Sequence, residues 1–189
     1  MSADPTDIDL TRPKSSMEAT SLREADGAET PLPTYPHHLL CDENGTFPVV
    51  LNDWEREVLQ AEMQRAGFVA WYRNPARATQ DSLGIAYADN GQIKMVRPDF
   101  LFFARQAGGR VVADLVDPHG TQFSDALPKL RGLAEYAAAH PHAFRRIETV
   151  ARVGDKLRVL DLTDAAVRQA VAEGEEAASL YAGPLASDY

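Results

Sequence analysis

The spacing of apolar residues along the chain predicts a helix in its first half. Trp54 and Val58 fall on one helical stripe, and Asn52 or Asp53 is a suitable cap before it. We therefore expect a helix that begins there and runs to about Ala66, with the following glycine ending it.

Two further helices are predicted in the second half. One covers Asp125–His140, and another begins after a cap at Thr163 and ends at Gly183-Pro184. Gly174 weakens the second of these. The inward-facing positions of the first are Leu127, Leu130, Leu133, Ala134 and Ala137.

Short apolar runs between the helices predict strands joined by glycine-containing turns. The turns are Asn44-Gly45, Asn90-Gly91, Gly108-Gly109 and Gly154-Asp155. The predicted strands are 38–41, 46–50, 68–72, 83–87, 92–103, 111–117, 144–153 and 156–162. Strands clustered between helices indicate an α/β chain with a mixed, α+β-type sheet and a C-terminal helix.

Composition divides the chain into a central domain and two acidic ends. Before Gly45 there are nine acidic and three basic residues, whereas 45–164 contains fifteen of each. Residues 1–35 are polar and nearly free of aromatics, which predicts a disordered tail. The domain is therefore expected over 36–182, with a short tail over 183–189.

Several classes of protein are disfavoured by the sequence. No apolar run is long enough to cross a membrane, and the polar, acidic first residues lack the apolar stretch expected of a secretory signal. Cys41 is the single cysteine, which fits a reducing compartment, so we expect a cytoplasmic protein. The balanced charge of the domain disfavours a strong free-standing nucleic-acid binder. There is no phosphate-binding loop of the motor ATPases.

The Gly108 turn brings two carboxylates together. If the turn is centred there, strand partners have numbers that sum to about 216, so Asp99 lies opposite Asp117 and His119 shares the same face. Two adjacent carboxylates repel each other, and a divalent cation removes the repulsion. The hairpin therefore predicts a metal site.

The same residues resemble the PD-(D/E)XK nuclease motif. Four segments also look like the nuclease-like region at the C-terminal end of type III restriction subunits and related DEAD/DEAH helicases. These segments are Trp71-Tyr72-Arg73-Asn74-Pro75, Arg97-Pro98-Asp99-Phe100, Val116-Asp117-Pro118-His119-Gly120 and Asp125-Ala126-Leu127-Pro128-Lys129-Leu130. The resemblance covers about 45–165 and implies a restriction-endonuclease-like core.

The resemblance implies a role for each position. Asp99, Asp117 and the Pro118 carbonyl would hold Mg²⁺ or Mn²⁺, and Glu55 would orient a water near the ion. His119 stands where the family has lysine. It could accept a proton or bind the metal, but it is not a permanent cation.

Lys129 is a candidate replacement for that lysine, because it lies on the next helix and away from the leucines. Gln122 could also donate to a phosphate. Each residue has a structural alternative: Asp99 as a strand start, Asp117 as a turn residue, His119 as a packed or solvated loop residue, Glu55 as a first-turn charge, and Lys129 as a partner of Asp125.

Three functions remain open at this point. The first is a metal-dependent DNA endonuclease in a restriction or helicase-associated system, with a helicase or ATPase subunit as partner. The second is a catalytically degenerate nuclease fold that positions DNA or docks a protein. The third is a structural domain whose acidic pair is coincidental. The first two differ in whether Lys129 reaches the acidic pair.

Overall fold

A computed structural model of the chain describes residues 21–23 and 25–189. It divides into two compact units, residues 1–50 and 51–189. Most of the predicted disordered tail, residues 1–20 and residue 24, lies outside the described part.

The described part of the first unit consists of short antiparallel strand pairs. Its strands are β1 (Ser21–Arg23), β2 (Glu29–Pro31), β3 (Thr34–Pro36) and β4 (Thr46–Pro48). β1 pairs with β2, and β3 pairs with β4. Part of the segment that we expected to be disordered therefore has regular structure.

The Asn44-Gly45 turn is present, but the strand partner predicted for β4 was wrong. Asp42 N donates to Thr46 O over 2.8 Å, and Gly45 has φ +76°. The strand beside β4 is β3, not residues 38–41. His38 is instead buried and stacked on Phe47, with ring centroids 3.6 Å apart.

The second unit contains four helices and eight strands. The helices are α1 (Asp53–Met63), α2 (Ala126–Ala139), α3 (Ala165–Glu173) and α4 (Ala177–Ala182). The strands are β5 (Phe68–Arg73), β6 (Ile85–Asp89), β7 (Gln92–Val96), β8 (Phe100–Arg105), β9 (Val111–Pro118), β10 (Ile147–Val153), β11 (Lys156–Asp161) and β12 (Ser187–Asp188). Among the described residues, no helix is both long and apolar enough to cross a membrane.

A six-stranded sheet organises this unit, and the prediction of a mixed sheet is confirmed. Its order is β12-β11-β10-β9-β8-β5, and β9 and β10 are parallel while the other neighbours are antiparallel. In the β8–β9 pair, Phe100 lies opposite Val116. Their numbers sum to 216, so the predicted register is confirmed.

Three expected elements differ in the structure. The strand predicted over 92–103 is broken at residues 97–99, and β6 and β7 form a separate two-stranded sheet. Gly174 divides the last predicted helix into α3 and α4, and the cap of α3 is Asp164, not Thr163. Residues 183–189, expected to be a tail, include β12, which joins the sheet.

Alternation along β9 sends neighbouring side chains to opposite faces of the sheet. Leu115 packs in the apolar core with Leu130 and Leu133 of α2. Asp114 points the other way and is fully buried. Helices therefore cover both faces, with α1 on the side of Asp114.

Asp114 belongs to a buried charge network around Arg146. The Arg146 guanidinium contacts Asp114 and Glu62 over 2.8 Å each and Glu148 over 2.9 Å. Tyr189 Oη donates to Glu62 Oε1 over 2.6 Å. This network joins α1, two strands and the last residue of the chain, and it gives Asp114 the structural role expected of a charge inside a strand.

The β6–β7 hairpin packs on α2 at a position that only glycine can occupy. A Cβ added at Gly132 would lie 2.2 Å from Tyr87 Cβ. Tyr87 and Gly132 are both buried. The β6–β7 hairpin can therefore approach α2 this closely because Gly132 has no side chain.

We expect Gly132→Ala to lower the free energy of unfolding by about 1–3 kcal/mol, because the new methyl overpacks the contact. Helix propensity alone would give the opposite sign, a gain of about 1 kcal/mol. Urea unfolding measures the difference, and Glu135→Ala at an exposed position of the same helix is the control. Stability equal to or above wild type would contradict this account of the contact.

Candidate functional site

Asp99 and Asp117 meet where β8 begins and β9 ends. Asp99 N donates to Asp117 Oδ1 over 3.1 Å. Asp117 is 5% exposed, and the Asp99 side chain is 23% exposed. The two carboxyl groups are therefore adjacent in a largely dry environment, as the hairpin register predicts.

Asn74 fixes the chain segment that carries Asp99. Its backbone N donates to Asp99 O over 2.9 Å, and its side-chain nitrogen donates to Pro98 O over 2.8 Å. The same amide group also bonds both backbone groups of Leu83. The sequence predicted no separate role for Asn74, although its position between a strand and Pro75 is typical of a bend in the backbone.

Arg73 connects the acidic pair to the first helix. Its guanidinium lies 2.8 Å from Asp99 Oδ1 through Nη1 and 2.7 Å from Glu55 Oε1 through Nη2. It also stacks over Phe100, 5.0 Å from the ring centroid. Arg73 is thus the direct cationic partner of two predicted site residues.

Glu55 has a second role that keeps it in place. Asn52 caps α1 by accepting from Glu55 N, and Glu55 Oε2 accepts from Asn52 N over 2.8 Å. This capping box holds the side chain at the start of the helix. Glu55 Oε2 therefore accepts a hydrogen bond from the cap residue, and Glu55 Oε1 contacts the Arg73 guanidinium.

The acidic pair retains protons more strongly than ordinary carboxyl groups. Burial raises the pKa of Asp117, and the neighbouring Asp99 carboxylate raises it further. Burial also raises the pKa of Asp99, although the Arg73 guanidinium opposes this shift. Both pKa values are raised because the ionised carboxylates lose hydration and repel each other. A bound cation would reduce this repulsion.

His119 and Lys129 lie on the α2 side of the pair. Burial lowers the pKa of His119, and the Lys129 ammonium lowers it further, so the imidazole is neutral near pH 7. His119 Nε2 is buried and has no hydrogen-bond partner among the described residues. A neutral ring with an unpaired nitrogen can accept a proton or a ligand.

Lys129 has a direct partner on its own helix. Its Nζ lies 2.8 Å from Asp125 Oδ2. Its charge also opposes the rise in pKa of Asp117 and Asp99. Lys129 therefore forms the predicted ion pair with Asp125. Its positive charge also favours the ionised forms of Asp99 and Asp117.

Two residues near Asp117 were missed by sequence reasoning. Thr149 lies beside Asp117 in the parallel β9–β10 register. Tyr181 of α4 is buried at the same place, and burial raises its pKa. With His119 and Lys129 they line a cavity of about 10 Å³, which approaches the space of one water. The connection through α2 that makes β10 parallel to β9 places Thr149 beside Asp117, and no local sequence pattern indicates this pairing.

The predicted site residues are therefore brought together in part. Asp117, His119 and Lys129 line one small cavity, Asp99 lies beside Asp117, and Arg73 links Asp99 to Glu55. Pro118 is the last residue of β9, whereas Gln122 is exposed. Across residues 21–23 and 25–189, no three His, Cys, Asp or Glu side chains form a group that could hold a metal.

We expect Asp117→Asn to become more stable relative to wild type as pH rises, when both are measured in EDTA. The pKa of Asp117 is raised to about 7 in the folded state, so folding takes up a proton and wild-type stability falls between about pH 4 and 7. Asparagine keeps the acceptor for Asp99 N and carries no charge.

Thermal midpoints from pH 4.5 to 8 test this expectation. The midpoint of Asp117→Asn minus that of wild type should rise by several degrees across the range. Asp155→Asn, in an exposed turn, should show a flat difference. A difference for Asp117→Asn that is flat or falls with pH would contradict the raised pKa.

Sequence comparison gives this chain a family. Residues 36–189 match the YagJ family. Protein YagJ of Escherichia coli (strain K12) is 54% identical over all 189 residues of the chain, which correspond to 77% of that protein. No solved structure gives a significant match. Since the family match covers most of its length and the relative is this similar, the chain belongs to the YagJ family.

Proposed function

We propose that the second unit is a metal-dependent nuclease that hydrolyses phosphodiester bonds of DNA. The observation that carries this proposal is the buried Asp117 carboxylate, raised in pKa and bonded to the backbone of Asp99. Acidic pairs of this kind, placed where burial penalises their charge, are frequent at functional sites. The activity would belong to a cytoplasmic restriction or helicase-associated system.

The order of elements supports a restriction-endonuclease-like core. Apart from the β6–β7 hairpin inserted between β5 and β8, the order is one helix (α1), three antiparallel strands (β5, β8 and β9), a second helix (α2) and a parallel strand (β10). Pro98-Asp99 directly precedes β8, and Asp117-Pro118 ends β9. These are the positions that the resemblance to PD-(D/E)XK nucleases implies for the acidic motif.

The chemistry of the donor groups fits Mg²⁺ or Mn²⁺. Mg²⁺ is commonly held by one or two carboxylates together with water, so Asp99 and Asp117 would suffice with the Pro118 carbonyl. Such an ion would supply a Lewis acid for the phosphate and a more acidic bound water. Burial of the two carboxylates and their mutual repulsion favour binding of a cation.

Other residues of the chain would act on the substrate. Lys129 would stabilise negative charge that develops on the phosphate, as the missing family lysine does. His119, which is neutral near pH 7, would accept a proton. Glu55 stays fixed by its capping box and would orient water.

A catalytically degenerate nuclease fold is the second candidate. Two observations favour it: His119 replaces the family lysine, and Arg73 already neutralises Asp99. The domain would then position DNA or dock a protein partner, such as a helicase or ATPase subunit. Metal binding and cleavage are separate measurements, and together they distinguish the two candidates.

For the nuclease, we expect calorimetry at pH 8 to detect Mn²⁺ binding to wild type and its loss in Asp117→Asn. Supercoiled plasmid should be nicked by wild type with Mg²⁺ or Mn²⁺ and left intact by Asp117→Asn. Lys129→Ala should keep Mn²⁺ binding but lose about a hundredfold in cleavage rate, since it removes only charge stabilisation. Asp155→Asn is the matched carboxylate control.

Each other result has a defined reading. Wild-type Mn²⁺ binding without cleavage of plasmid or linear duplex would favour the degenerate fold. Cleavage that survives Asp117→Asn would point to a contaminating nuclease. No Mn²⁺ binding by wild type would refute the metal-dependent mechanism.

A further inference from the structure

We propose that Arg73 is a built-in counter-cation of the acidic site: it bridges Glu55 and Asp99 when no divalent ion is bound, and it competes with the ion for Asp99. The inference rests on the proposed metal site and adds a means of regulating it. The juxtaposition that supports it is a single guanidinium in direct contact with two carboxylates from different parts of the fold.

The geometry of Arg73 is that of a two-sided bridge. Nη2 lies 2.7 Å from Glu55 Oε1, and Nη1 lies 2.8 Å from Asp99 Oδ1. The side chains of Glu55, Arg73 and Asp99 are 9%, 20% and 23% exposed, so both contacts are shielded from solvent. The contact with Glu55 is a charge-assisted hydrogen bond and the contact with Asp99 is an ion pair, and both are stronger where water is largely excluded.

The surrounding structure holds the bridge in position. Arg73 is the last residue of β5 and lies directly before Asn74, which is bonded to the backbone on both sides of Asp99. The Phe100 ring supports the flat guanidinium. Glu55 cannot easily leave, because its other oxygen accepts from the helix cap. Lysine could not reproduce this fork.

Competition follows from the shared carboxylate. A divalent ion held by Asp99 and Asp117 must bind the Asp99 carboxylate that is already in an ion pair with Arg73 Nη1. Two positive charges on one small carboxylate repel each other. Lys129 is engaged with Asp125, so Arg73 is the cation in direct contact with Asp99. Binding of the ion therefore requires the guanidinium to weaken or release this contact.

The bridge also explains how the acids coexist without an ion. Glu55, Asp99 and Asp117 are all at least partly buried, and their like charges would otherwise destabilise the fold. Arg73 stabilises the ion-free protein, and the same contact weakens the binding of the ion. A purely structural arginine would affect only the first of these two properties.

The test compares Arg73→Gln with wild type and with Arg152→Gln. Arg152 is a matched control, because it also joins the sheet to α1, through Glu57 at 2.6 Å, and it is similarly shielded at 26% exposed. Thermal midpoints are measured at pH 8 in EDTA and across a Mn²⁺ titration, and the midpoint shifts give apparent dissociation constants.

Arg73→Gln should melt below wild type in EDTA, yet bind Mn²⁺ about tenfold more tightly, since one charge-assisted contact no longer competes. Arg152→Gln should lower the midpoint without changing the Mn²⁺ dissociation constant. If Arg73→Gln does not fold, Arg73→Lys, which keeps the charge but loses the fork, should show the same tightening to a smaller degree.

The outcomes separate this inference from the proposed function. Wild-type binding of Mn²⁺ with equal or weaker binding by the Arg73 variants would overturn the counter-cation role alone. Mn²⁺ binding by Arg73→Gln but not by wild type would support the counter-cation role of Arg73. It would overturn the proposed function, because the wild-type protein would then bind no metal ion. Absence of binding by every protein would overturn both.

Discussion

The register of the β8–β9 hairpin is the constraint on which the candidate site depends. Gly108 and Gly109 both have positive φ, at +94° and +87°, and Gln106 N bonds Arg110 O across the turn. This tight turn makes partner numbers sum to 216 and brings Asp99 to Asp117. A slip of one residue would exchange the faces, sending Asp117 toward the Arg146 network and Asp114 into the apolar core.

The two buried aspartates of β9, Asp114 and Asp117, lie on opposite faces of the strand and have different partners. On the α1 side, Asp114, Glu62 and Glu148 surround Arg146 with direct contacts, and Arg145 adds a second contact to Asp114. At Asp114 the contacts with Arg145 and Arg146 outweigh burial and the pKa is lowered, whereas burial raises the pKa of Glu148 although Arg146 opposes that shift. At the end of the same strand, Asp117 is buried beside another carboxylate and its pKa is raised. One strand thus contains an aspartate in ion pairs with two arginines and an aspartate whose hydrogen-bond donor is the backbone N–H of Asp99, which separates a structural role from a functional candidate.

The sequence predicted those features that depend on neighbouring residues. The start of α1, for which Asn52 and Asp53 were both predicted caps and Asn52 is the cap observed, the turns and the β8–β9 register all follow from local patterns. The partner of β4 was wrong because the Asn44-Gly45 turn lies inside a longer connection from β3. The strand break at 97–99 reflects Pro98, which lacks an N–H for a sheet bond. Contacts made across the fold, such as Arg73 with Glu55 and Thr149 with Asp117, have no periodic signal.

Asn74 also has a consequence for how this family can vary. Its side-chain amide donates to the carbonyl oxygens of both Leu83 and Pro98. The two ends of the segment that contains the β6–β7 hairpin are therefore held close together beside Asn74. The spacing between Arg73 and Asp99 is then independent of how long that segment is. The exposed Asn90-Gly91 tip of the β6–β7 hairpin is therefore a position where inserted sequence would leave the contact between Arg73 and Asp99 in place.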